Sequence, residues 1–192
     1  MKVGVLALQG DFLEHVAVLR KQGVEALEVR NLKELEQVDA LIIPGGESTT
    51  IARLLDVYKL REPVQKLAQQ GKPIWGTCAG MILLAKEITE DRPQPLGLMD
   101  ITVTRNAFGR QVDSFEADLP VDGLGSEPFR AVFIRAPVVR RVGKSVKVLA
   151  QLPDGRPVAV RQGNLLATAF HPELTSDPRF HHYFLSMGEK TH

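Results

Sequence analysis

Residues 72–88, KPIWGTCAGMILLAKEI, decide the fold. An apolar run, KPIWGT (72–77), reads as a strand. A glycine-flanked turn, GTCAG, follows it, and AGMILLAKEI reads as a helix that is apolar on nearly every side and therefore buried. Strand, sharp turn and buried helix form one α/β unit, and the same unit recurs upstream. KVGVLAL (2–8), VEALEV (24–29) and DALIIPGG (39–46) are strand candidates. Between them lie helical patterns. DFLEHVAVLRKQG has Asp11 as a candidate N-cap, Phe12, Val16 and Leu19 on one face, and Gly23 as terminator. NLKELEQ is a short helix, and STTIARLLDVY and PVQKLAQQG are longer ones. Strands alternating with helices predict an open, mostly parallel sheet with helices on both faces.

The second half is richer in strands: DITVTR, SFEADL, FRAVFIR, VKVLAQL, PVAVRQ and NLLATAF. LPDGRP (152–157) carries the Asp-Gly signal of a tight hairpin, so antiparallel strands are added to the parallel sheet. PRFHHYFLSMG reads as a final surface helix, and RPQPLG (92–97) as a loop. No repeat or linker divides the chain, so a single domain over 1–192 is expected.

Composition narrows the function classes. Hydrophobic residues make up 44% and charged residues 24%, as in soluble globular proteins. Lysine plus arginine is 24 and aspartate plus glutamate 23, a net charge of +1 that gives no footprint for nucleic acid or an anionic membrane. The apolar run of MKVGVLALQG is too short for a signal peptide, and no stretch is long enough to span a bilayer. The lone cysteine, Cys78, excludes an internal disulfide and a paired-cysteine metal motif. A reducing cytoplasm is the simplest expectation.

Ligands of open parallel sheets bind beyond the carboxyl ends of the strands. LQGDF, PGGEST and GTCAG all follow such ends. In GTCAG the small neighbours let Cys78 project from a sharp turn, as at a nucleophile elbow, and the following helix N-terminus favours thiolate. The bland reading is a small residue suited to a buried turn. A nucleophile needs a base, and there are five histidines. His15 lies inside the first helix, His181 and His182 in the surface helix, and His192 at the terminus; all four read as packed or solvated. His171 differs, because it follows the strand NLLATAF directly. Pro172 biases it towards an extended conformation, which places Glu173 on the same side as the imidazole and able to orient it. PGGES (44–48) offers backbone N–H groups to an oxyanion, with Ser48 able to cap the next helix.

PGGES, GTCAGM and HPE together resemble the class I glutamine amidotransferases with a Cys-His-Glu triad. The usual G-x-C-x-G-x-Q departs here to GTCAGMI, without the glutamine. With LALQGDFLEH and PGGESTT, that form is similar to a narrower group, the glutaminase subunits of pyridoxal 5′-phosphate synthase, over residues 2 to about 185. The resemblance implies a flavodoxin-like glutamine amidotransferase fold and hydrolysis of L-glutamine to glutamate and ammonia. The ammonia would pass to a separate barrel-fold synthase subunit. It implies Cys78 as nucleophile, His171 as base and then acid, and Glu173 as its orienter. Gly46, Glu47, Ser48, Arg105, Ile134 and Arg135 would contact glutamine, with N–H groups near Gly46 and Ala79 forming the oxyanion hole. Gln9 and Gly10 correspond to a partner-sensitive loop. No cofactor or metal is implied. Two rivals stand beside this reading: a DJ-1-like cysteine hydrolase or redox sensor, and an assembly subunit with a vestigial site.

Overall fold

The computed structural model describes residues 1–109 and 113–189; His192 and residues 110–111 of the VTRNAFGRQ segment lie outside them. In chain order, β1 (Lys2–Leu6), α1 (Phe12–Lys21), β2 (Glu25–Val29), α2 (Leu32–Leu35), β3 (Ala40–Ile43), α3 (Ser48–Val57), α4 (Arg61–Gln69), β4 (Ile74–Thr77) and α5 (Ala79–Leu84) alternate as the sequence predicts. Strands then dominate: β5 (Ala85–Ile88), β6 (Met99–Thr104), β7 (Ser114–Leu119), β8 (Phe129–Ile134), β9 (Val138–Val142), β10 (Lys147–Gln151), β11 (Pro157–Gln162) and β12 (Leu165–Thr168). A 3-10 turn, Pro172–Leu174, precedes the last described helix, α6 (Arg179–Glu189).

The main sheet has the order β10-β11-β12-β4-β3-β1-β2. Its five strands from β12 to β2 are parallel, in the 2-1-3-4-5 order of flavodoxin-like folds once β12 is counted fifth. β11 and β10 add antiparallel strands beside β12. The β10–β11 hairpin turns at Gly155, whose φ of +88° suits the Asp-Gly turn. The register pairs Thr168 with Thr77 and Gly76 with Ile43. The carboxyl ends of neighbouring strands therefore finish level, and their loops share one rim.

The strands β3 and β4 are buried at every position, as expected of parallel strands covered on both faces. On one face, Trp75 of β4 stacks on Phe180 of α6, with ring centroids 6.2 Å apart. Phe180 meets Phe129 and Phe170 edge-on, tying β8 and the end of β12 into the same core. α1 buries Val16 and Leu19 on the sheet, and α3 buries Ile51, Ala52 and Leu55.

Three local expectations are corrected. AKEI does not continue α5. The helix stops at Leu84, and Ala85–Ile88 forms β5, paired in parallel with β6 in a separate three-stranded sheet with β9. Strand pairing of Glu87 with Thr102 and Ile88 with Val103 overrides the helical propensity of Ala, Lys and Glu. β9 itself, VVRRV, is not among the expected strands. α6 is not a surface helix in full: Phe180, His181, Phe184 and Met187 are buried along one side.

Candidate active site

Four adjacent strands, β12, β4, β3 and β1, end at the same edge and deliver His171, Cys78, the PGGES loop and the Gln9–Gly10 loop there, while Arg105 and Ile134 come from the ends of β6 and β8. Cys78 follows β4 and immediately precedes α5. Its backbone sits at φ 51°, ψ −104°, a conformation that costs a non-glycine residue about 1–3 kcal/mol and that marks a nucleophile elbow. The Cys78 N–H donates to the Thr168 carbonyl at 2.8 Å, which fastens the elbow to β12. Glycine is required on both sides. A Cβ on Gly76 would strike the Gly80 carbonyl, and one on Gly80 would strike the carbonyl of Ile43. The turn can therefore lie tightly against β3 only with this sequence.

His171 comes from the end of β12, its N–H held by the Val132 carbonyl of β8 at 2.9 Å. Its Nδ1 lies 2.6 Å from Glu173 Oε1. Glu173 reaches it from the 3-10 turn, not from an extended segment as the sequence suggested; Pro172 starts that turn. Burial disfavours the imidazolium, but hydrogen bonds to Cys78 and to Glu173 outweigh it and push the His171 pKa up to about 10. Glu173 thus holds Nδ1, and Cys78 is the other side chain that favours the charged ring. Burial raises the Glu173 carboxyl, against the opposing hydrogen bond from His171.

The PGGES loop follows β3 and is gripped by the loop after β1. The Asp11 N–H donates to the Gly45 carbonyl at 2.9 Å, and the Glu47 N–H donates to Gln9 Oε1 at 2.8 Å. Gly10, at φ +100°, lies so close that a Cβ there would strike the Gly45 carbonyl. Because a trans peptide points its C=O and N–H in opposite directions, the bond from Asp11 directs the Gly46 N–H away from residue 11. Gly45 N–H donates to Thr77 Oγ1 at 3.1 Å, joining this loop to the residue before Cys78. Ala79, the first residue of α5, is buried and has an N–H without an intrahelical acceptor.

Glu47, not Ser48, caps α3: its carboxylate accepts from the N–H groups of Thr49 and Thr50. Partial burial works to raise its pKa, and those bonds outweigh it and hold the pKa low. Ser48 is buried at the first helical position. Arg105 stands over Glu47, with Nη2 3.5 Å from Oε1, and its Nη1 donates to the Arg92 carbonyl at 2.7 Å. Ile134 meets Cys78 through its backbone: the thiol lies 3.7 Å from the Ile134 carbonyl. The Arg135 guanidinium does not enter the site. Its side chain is 73% exposed and faces Asp113 at 3.6 Å, while its backbone holds a φ of 44°.

Sequence reasoning overlooks four polar neighbours. Asp11 reads as a helix cap, yet its side chain caps nothing; Oδ2 lies 3.6 Å from His171 Nδ1. Asp11, His171 and Glu173 bring three ligand-type atoms within 4.8 Å, a cluster that coincides with the imidazole–carboxylate pair. Thr77, His15 and His181 form a buried layer behind Glu173. The signal for the two histidines is spacing, since His15 shares a helix face with Leu19, and His181 shares one with Phe184.

Comparison with known proteins places this geometry. Residues 5–190 match the SNO glutamine amidotransferase family. The pyridoxal 5′-phosphate synthase subunit PdxT of Herpetosiphon aurantiacus is 65% identical over 190 residues, covering 97% of this chain and 100% of the relative. PdxT of Dehalococcoides mccartyi strain BAV1 is 61% identical, covering 98% of both. A crystal structure of a glutamine amidotransferase superposes with a TM-score of 0.93 at 56% identity, covering 98% of this chain and 100% of that one. The structure of PurLQS from Thermotoga maritima, at 18% identity and a TM-score of 0.68, covers 96% of this chain and 97% of the matched one, and shares the fold. The chain belongs to the SNO glutamine amidotransferase family.

Proposed function

We infer that this chain is the glutaminase subunit of a pyridoxal 5′-phosphate synthase, with residues 1–192 acting as one unit in the cytoplasm. The carrying observation is that His171, held on Nδ1 by buried Glu173 at 2.6 Å, is charged by its interaction with Cys78, which stands on a strained strand-to-helix turn at the same sheet edge. Family membership and the PdxT relatives support the substrate, L-glutamine.

The Cys78 thiol gives its proton to His171, Sγ attacks the carbon of the side-chain amide, and the oxygen takes the charge. N–H groups of Gly46 and Ala79 stabilise it as an oxyanion hole. His171 gives its proton to the amide nitrogen, the C–N bond breaks, and ammonia leaves a glutamyl thioester on Cys78. His171 then takes a proton from water, the hydroxide adds to the thioester, and the C–S bond breaks to release glutamate. Glu173 keeps the ring in the orientation both steps need. Glu47, Ser48 and Arg105 bind the amino-acid end of glutamine, the arginine suiting its α-carboxylate. Ile134 and Arg135 wall the other side through their backbone.

Free ammonia protonates in water, so its release is useful only beside an acceptor. A synthase subunit, the other half of the enzyme for which the relatives are named, is that acceptor. The grip of residues 9–11 on the Gly45 carbonyl and the Glu47 N–H supplies a route for coupling. A partner docking on Gln9 and Gly10 would reset the Gly45–Gly46 peptide and complete the oxyanion hole. Glutamine hydrolysis is to be measured with and without the synthase subunit. Strong stimulation is expected; equal rates would overturn the coupling, and no hydrolysis in either case would overturn the glutaminase reading.

A further inference from the structure

The first and last described helices each turn a histidine into the core, and neither ring enters the steps above. His15 of α1 and His181 of α6 are fully buried. His15 Nδ1 lies 3.0 Å from His181 Nε2. On its other side, His15 Nε2 lies 3.2 Å from Thr77 Oγ1 and 3.4 Å from Glu173 Oε2. Among the described residues that carboxylate oxygen has no hydrogen-bond partner, so the His15 ring is its nearest polar neighbour in the layer, whereas Oε1 engages His171. Trp75 closes the layer edge-on, its ring centroid 5.5 Å from His15 and 4.9 Å from His181.

One proton arrangement satisfies this chain. A carboxylate only accepts, so His15 must carry its proton on Nε2, facing Glu173 and Thr77. Its bare Nδ1 then accepts from His181 Nε2–H, which leaves His181 Nδ1 bare. Among the described residues His181 Nδ1 is indeed without a partner. The opposite arrangement would set a lone pair of His15 against the carboxylate and bury an unpaired N–H on His181, the costlier defect. Burial, with His181 and His171 nearby, keeps His15 uncharged, and burial with His182 nearby does the same for His181. Thr77 Oγ1 also accepts from the Gly45 N–H. His15 therefore stands where the triad carboxylate and the glycine loop meet.

We propose that His15 is a positioning residue: its Nε2–H bonds Thr77 Oγ1 and presents its positive end to Glu173 Oε2, and His181 fixes the tautomer that allows it. The proposal rests on the glutaminase reading for its kinetic arm and on geometry for its spectroscopic one. The test compares His15→Gln with His15→Asn in the assembled complex with the synthase partner. The amide nitrogen of glutamine reaches the place of Nε2, and that of asparagine reaches only the place of Nδ1. His15→Gln is expected to keep kcat within about threefold of the wild type, and His15→Asn to lose about tenfold or more with KM within about twofold. In parallel, the low-field proton resonance of His171 Nδ1–H should move in the Asn variant and stay in the Gln variant. Wild-type kcat and resonance in His15→Asn, or equal losses in both variants, would overturn the proposal. Should His15→Asn not fold, His181→Leu probes the same chain one step back: a loss of about threefold or more in kcat is expected, and an unchanged value overturns it. If the wild-type complex hydrolyses no glutamine, the glutaminase reading fails instead, and the His171 resonance alone decides the role of His15.

Discussion

Gly45→Ala is the most informative single change outside the proposed triad. Gly45 is not among the described glycines with positive φ, so alanine fits its backbone. Space is what it lacks. A Cβ at residue 45 would lie 2.5 Å from Cε1 of His171 and 3.1 Å from Nδ1, where ordinary contact begins at 3.4 Å. The ring or the loop must therefore give by about 0.9 Å, and a displacement of that size at a reacting group costs about 10²-fold in rate. The loop is held by bonds to Asp11 and Thr77, and the ring by Glu173, so neither retreats alone. The strain of overpacking should cost about 1–3 kcal/mol of stability, which a domain of this size survives. Steady-state glutamine hydrolysis in the synthase complex, with thermal melting as the check on folding, measures both effects. A loss of about 30- to 100-fold in kcat with a modest fall in melting temperature is expected. A folded Gly45→Ala variant with wild-type kcat would refute the claim that the glycine loop and His171 are fitted to one another.

Cys78→Gly and Cys78→Ala should both lack glutaminase activity, yet Gly should be the more stable by about 1 kcal/mol in urea unfolding, because only Gly relieves the strained elbow at φ 51°. Arg105→Ala should raise KM for glutamine about tenfold or more with a small change in kcat, since one charge-assisted bond is lost. Stability should depend on pH through the buried histidines. His181, pushed down to about 3, and His15, pushed well below its usual value, stay neutral when folded but take a proton near pH 6.5 when unfolded. Their contribution is complete above pH 6.5 and lost as pH falls below it, at about 1.4 kcal/mol per pH unit for each group. His181→Asn should halve the slope of urea-unfolding free energy between about pH 6 and 5. His171 has the opposite sign: raised to about 10, it contributes fully below pH 6.5, and that contribution is lost as pH rises from there through its folded value.

The parallel half of the fold is legible because its signals are local. Buried β3 and β4 read as short apolar runs, and each is closed by a glycine turn that sterics demand. The residues of the proposed triad stand out for the same reason: Cys78 and His171 follow strand ends, where periodicity stops. AKEI and VVRRV are not, because their strand state comes from pairing with β6, distant in sequence, and not from their own propensities. Glu47 reads from sequence as a substrate contact alone, although its carboxylate also caps α3. Arg135 shows a further limit. Its residue type suggests a guanidinium in the site, whereas the fold turns that group outward to Asp113 and leaves the backbone of residue 134 against the thiol. His15 and His181 lie 166 positions apart, and only the docking of α6 beside α1 makes them a pair.

The most direct measurement is covalent labelling by a glutamine-analogue electrophile, read by intact mass and peptide mapping in the synthase complex. A site built around Cys78, His171 and a glutamine pocket predicts one adduct, on Cys78, formed more slowly in the presence of L-glutamine and absent from Cys78→Ala. An adduct that glutamine does not slow, or no adduct on Cys78 at all, would contradict the account and return the chain to a thiol enzyme of another substrate class.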